Sequence, residues 1–125
     1  MPFEACTPTQ SQREAFKQAM DIISGKWKMD IIFALLTGEP TRFGVLRRKL
    51  PGITQHMLSS QLRALEADGM ILRQVYPEVP PRVEYSITRK AYALGPVLLG
   101  LVDWVEWSRE AENAGSVSAS SERVD

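Results

Sequence analysis

Apolar residues recur every third or fourth position through most of this chain, and two stretches in its middle alternate instead. Helical spacing first appears over residues 12–23, where Phe16, Met20 and Ile23 share one side. A second helix is predicted over residues 26–37, capped by Ser24, with Trp27, Ile31, Ile32, Leu35 and Leu36 as its stripe. Gly38 and Pro40 end it. Thr41 or Arg42 opens a short third helix that turns Phe43, Leu46 and Leu50 inward. Pro51-Gly52 imposes a tight turn, Thr54 is placed to cap a fourth helix over residues 54–68, and Gly69 terminates it. Residues 70–76 and 82–88 then alternate as two strands, with Val83, Tyr85 and Ile87 on one face and Arg82, Glu84 and Ser86 on the other. A long last helix is predicted over residues 89–112, capped by Thr88.

Short helices followed by a two-stranded hairpin form a winged helix-turn-helix. The fold class is therefore α+β and mostly helical, with further helices at both ends. The stretch between the strands, "PEVPP" at 77–81, is too rich in proline for regular structure and stiff enough to project as a wing. Residues 1–11 have no period and are expected to form a flexible arm. Residues 12–112 form the single domain, and the small polar residues 113–125 form a disordered tail.

The 125 residues suit one domain with a modest core. No apolar run approaches the roughly 18–20 residues that span a bilayer. The N-terminus lacks a basic segment followed by an apolar one, so the cytoplasm is the expected location. A single Cys excludes an internal disulfide framework and a multi-cysteine zinc site. Net charge is zero, yet residues 42–90 carry nine Lys/Arg against four Asp/Glu, a local +5 between acidic flanks. Such a basic middle suits an anionic partner, or simply a solvated face.

The fourth helix decides between these. At about 100° per residue, Leu58, Leu62 and Leu65 occupy one narrow sector. His56, Ser60, Arg63 and Ala67 lie opposite, with Ser59 beside them and Thr54 and Gln55 at the leading end. These short polar groups allow close approach to a surface, and Gln and Arg match base edges and phosphates. A merely solvated face more often carries alternating Glu and Lys. Thr54, Gln55, His56, Ser59, Ser60 and Arg63 are thus candidates for base contacts on double-stranded DNA. Arg42, Arg47, Arg48, Lys49 and the wing's Arg82 are candidates for its backbone, although Arg82 can equally pair with Glu84.

"GKW" at 25–27, "RFGVLRRKLPGITQHMLSSQLRALEADGMI" at 42–71, "VYPEVPPRVEYSIT" at 75–88 and "LGPVLLGLVDW" at 94–104 resemble the HxlR-type transcriptional regulators, within the MarR-like winged-helix group. The resemblance spans about residues 15–107. It implies a homodimeric DNA-binding repressor or activator, with residues 54–68 as recognition helix and 77–82 as wing. Many relatives place a Cys shortly before the "KW", and some use it to sense oxidants or electrophiles. Here Cys6, a candidate redox sensor, stands 21 positions before Trp27. Ala91 replaces a usual glycine, which strengthens the last helix.

Phe16 and Met20 on the first helix, with Leu94, Leu98, Leu101, Trp104 and Val105 on the last, are the expected dimer interface. An enzyme is not expected: one His and one Cys stand fifty positions apart, without a nucleophile motif or phosphate loop. No cofactor or metal is implied, and any small-molecule or redox effector is unidentified. The alternative is a winged helix that binds RNA or a protein partner.

Overall fold

A computed structural model describes residues 7–115 of the chain. Cys6 and residues 116–125, most of the expected tail, lie outside the described residues. The chain divides into two compact units, one running to Ala91 and the other beginning at Tyr92.

In the first unit, α1 spans Gln10–Ile23 and begins two residues earlier than the periodicity suggested. Thr9 and Gln12 form a reciprocal capping box. The Thr9 hydroxyl accepts from the Gln12 amide at 3.1 Å, and the Gln12 side chain accepts from the Thr9 amide at 2.8 Å. Ser24 closes α1, donating its amide to the Met20 carbonyl at 2.8 Å, and so does not cap the next helix. Gly25, at φ +119°, separates the two, and α2 spans only Lys28–Leu35, with Trp27 as a cap without a side-chain bond. Ile31, Ile32 and Leu35 are fully buried.

Thr41–Arg42 is a short strand, β1, paired antiparallel with the last strand: Thr41 opposite Tyr85 and Arg42 opposite Glu84. The sheet therefore has three strands where a two-stranded wing was predicted. Thr41 is buried, and its hydroxyl donates to the Glu39 carbonyl at 3.1 Å. Arg42, still extended, then serves as N-cap of α3, Phe43–Arg48. Leu46 and Leu50 are buried.

Helix α4, Gln55–Ala67, follows the prediction closely. Leu58, Leu62 and Leu65 point into the core with Ile31, Ile32, Leu35, Leu46 and Ile71. Gly69, at φ +75°, ends it: the Gly69 amide donates to the Glu66 carbonyl and the Met70 amide to that of Leu65, which closes the open carbonyls of the last turn. Strands β2, Ile71–Tyr76, and β3, Arg82–Ile87, form the hairpin, and the sheet order is β1-β3-β2. Tyr85 is buried, while Val83 and Ile87 on the same face are only partly covered. The Thr88 hydroxyl donates to the Gly69 carbonyl at 2.6 Å and accepts from the Ala91 amide at 3.2 Å, tying the end of α4 to the short helix α5, Arg89–Tyr92.

The last helix is not continuous from residue 89. A separate helix, α6, spans Gly95–Gly115. The cause is Pro96: it has no amide to donate and its ring clashes with a preceding turn, so it is tolerated only where a helix begins. Residues 113–115, expected in the tail, belong to α6. Its Val97, Leu99, Leu101, Val102, Trp104, Val105 and Trp107 are exposed, while Leu98 is buried. Among the described residues, no helix is long and apolar enough to cross a membrane.

Candidate nucleic-acid interface

The α3–α4 turn is built to aim α4. Gly52, at φ +93°, makes a turn that side-chain-bearing residues rarely adopt, while Leu50 and Ile53 on either side anchor it in the core. Thr54 is extended, and its hydroxyl accepts from the Met57 amide at 3.0 Å. That bond commits the acceptor of Thr54 to holding the helix start. Thr54→Ala is expected to cost about 0.5–2 kcal/mol of stability in thermal or urea denaturation.

Gln55, His56 and Arg63 are exposed along one side of α4, with Ser59 and Ser60 half-buried beside them. Arg63 forms no ion pair among the described residues. Arg42, Arg47, Arg48 and Lys49 are all exposed on or beside α3. The start of this helix faces the wing across a groove of about 390 Å³, lined by Arg42, Phe43 and Gly44 on one wall and residues 78–83 on the other. Local folding thus brings Arg42 and the wing to one concavity.

Arg82 is not free. It pairs with Glu78 at 3.2 Å and Glu84 at 3.5 Å, and its guanidinium lies 3.9 Å over the Tyr76 ring. These contacts fasten the base of the proline-rich tip to both strands.

A second cleft, of about 330 Å³, lies between α4 and the sheet, lined by Ser59, Leu62, Arg63, Glu66, Arg73 and Tyr85. Arg73 and Tyr85 stand opposite each other in the β2–β3 register and so share a face. The Arg73 guanidinium is 3.5 Å from the Glu66 carboxylate. Burial pushes the Tyr85 hydroxyl above its usual 10.0; the Arg73 charge opposes this, Glu66 adds to it and Arg63 opposes it. Tyr85 is thus neutral at physiological pH, and the stability this contributes is present below pH 10 and lost as pH rises through the raised value. Glu66, Arg73 and Tyr85 were not among the site residues expected from the sequence. The alternation over 70–76 was legible, but the register that sets Arg73 opposite Tyr85 was not.

Among the described residues, no group of three or more His, Cys, Asp or Glu is placed to hold a metal. Of the expected interface residues, Phe16, Leu101, Trp104 and Val105 are exposed, Met20 and Leu94 partly covered, and Leu98 buried.

The HxlR-like helix-turn-helix family model matches residues 22–113. An uncharacterized HTH-type transcriptional regulator of Halalkalibacterium halodurans is 50% identical over 93 residues, which are 74% of this chain and 82% of that protein. Among solved structures, a MarR-family regulator from Enterococcus faecalis V583 superposes with TM-score 0.76 at 37% identity, covering 88% of this chain and 97% of that one. The redox regulator HypR in its reduced form superposes with TM-score 0.70 at 42% identity, covering 80% and 98%. The matched segment holds the turn at Gly52, helix α4 and the wing together, and this chain belongs to the HxlR-like helix-turn-helix transcriptional regulators, a family of non-enzymatic proteins.

Proposed function

We propose that this chain is a homodimeric, sequence-specific DNA-binding regulator that reads an inverted repeat, with α4 in the major groove and the wing against the neighbouring backbone or minor groove. The observation that carries the reading is the outward face of α4: short polar side chains around a single unpaired Arg63, next to the exposed basic residues of α3. Gln55, His56, Ser59, Ser60 and Arg63 meet base edges in this arrangement, with Thr54 holding the leading end. Arg42, Arg47, Arg48 and Lys49 neutralise phosphates. The tethered Arg82 shapes the wing and presents its remaining donors beside it.

Base contacts and phosphate contacts respond differently to truncation. Arg63→Ala is expected to cost about 1–3 kcal/mol on the preferred duplex and to relax sequence preference at one position of each half-site. Arg48→Ala is expected to weaken all duplexes alike and to lower the salt slope by about one. Titrations of preferred and random duplex at several salt concentrations separate the two. If Arg63→Ala lowers both affinities equally, its base-reading role is wrong.

HypR is a redox regulator, and Cys6 is this chain's only thiol. Cys6→Ser is expected to bind DNA as the parent chain does, since the contacts proposed on α3, α4 and the wing do not include that thiol. Release of DNA by oxidant from the parent chain but not from Cys6→Ser would instead make Cys6 a sensor.

A further inference from the structure

We propose that Arg73, on β2 and outside the recognition helix, is a positioning residue that sets specificity by holding the Glu66 carboxylate away from Arg63. The inference rests on the base-reading role given to Arg63 above. Arg63 and Glu66 are three residues apart on α4, a spacing at which oppositely charged side chains meet. Both line the cleft between α4 and the sheet, together with Arg73 and Tyr85. Left alone, Glu66 has one nearby cation on its own helix, the guanidinium assigned to the bases. Arg73 supplies a second, at 3.5 Å, from a strand whose register with Tyr85 fixes its position.

The half-exposed Arg73–Glu66 pair contributes little to stability, because both groups remain largely hydrated. Its consequence is for charge placement. With Arg73 present, Glu66 is neutralised on the sheet side and Arg63 stays without an ion pair. With Arg73 removed, Glu66 turns to Arg63 and competes with the base edge for the same donors.

The test compares the full chain with Arg63→Ala, Arg73→Ala, Arg73→Lys and the double variant Arg73→Ala/Glu66→Gln. Each is titrated with a duplex selected by the parent chain and with random duplex, across a salt series, with thermal melting to check folding. Arg73→Ala is expected to lower the selected-to-random affinity ratio about fivefold, a fraction of a full base contact, while the random-duplex salt slope stays unchanged. The double variant is expected to restore the ratio to within about twofold, because the neutral amide no longer competes for Arg63. Arg73→Lys is expected to retain it, since a single contact through one guanidinium nitrogen needs charge rather than a planar fork. Failure of Glu66→Gln to rescue Arg73→Ala, an unchanged ratio in Arg73→Ala, or a salt slope reduced by about one would each overturn the proposal; the last would make Arg73 a phosphate contact. If Arg63→Ala leaves the ratio unchanged, the base-reading role falls first and takes the positioning role with it.

Discussion

Trp104→Glu is expected to leave the proposed homodimer monomeric at micromolar concentration and to weaken duplex binding by about a hundredfold or more. Trp104 is 62% exposed in the single chain, and Leu101, Val105, Val97 and Trp107 on the same helix are exposed as well. A monomeric protein rarely leaves so many large apolar groups on one helix in water. A tryptophan buries roughly 150–250 Å², which at roughly 25 cal/mol per Å² is an upper limit of about 4–6 kcal/mol for complete burial. Somewhat more than half of that is still available in the lone chain, and a two-fold axis uses it twice. A glutamate there loses this area and places two like charges near the axis. The effect on DNA follows because two linked half-site contacts bind more tightly than one by a factor of about 10²–10⁴. Phe16 on α1 is exposed as well. Sedimentation of the variant checks this: a Trp104→Glu protein that stays dimeric removes α6 from the interface.

The second large effect lies on the buried face of α4. Leu58 is completely buried, as are Leu65 and the α2 residues Ile31, Ile32 and Leu35. Leu58→Ala removes the transfer free energy of its side chain and leaves a cavity, together about 2–5 kcal/mol. Against a total stability of about 5–15 kcal/mol, that is a large share, and the melting temperature is expected to fall by roughly 10–20 °C. His56→Ala, almost opposite on the same helix, is expected to change stability by less than about 0.5 kcal/mol. Calorimetry on the two variants compares the faces directly. A similar melting temperature for both would mean that Leu58 does not anchor α4.

The regions most legible from sequence were those where several local signals agreed. Around α4, the leucine spacing, the Thr54 cap and the Gly69 terminator point to the same limits, and the helix runs Gln55–Ala67 between them. Strand β1 had no such support. Two residues cannot show alternation, and only the pairing of Thr41 with Tyr85 makes them a strand. The break before α6 was visible in principle, since Pro96 stands inside the apolar period that suggested one long helix. The apolar period runs on through Pro96, but its missing amide and its ring set where α6 begins. Ser24 is a sound cap by residue type, but it closes α1 because Gly25 reverses the chain immediately after it.

The candidate site divides in the same way. Exposure of Gln55, His56 and Arg63 follows from angles on a single helix and was readable. The pairs Arg82–Glu78 and Arg73–Glu66 differ in kind. Arg82 and Glu78 are four residues apart across a proline-rich turn, where no helical rule applies, and Arg73 meets Glu66 only because β2 returns along α4. Such contacts depend on the folded path of the chain.

Selection of bound sequences from random duplex by the 125-residue chain decides whether α4 reads duplex DNA. The expected result is enrichment of an inverted repeat whose half-sites lie about one helical turn apart, bound at least about 10³-fold more tightly than random duplex. RNA of the same sequence should compete poorly. Selection that enriches no duplex, or RNA that competes as well as the enriched DNA, would contradict it.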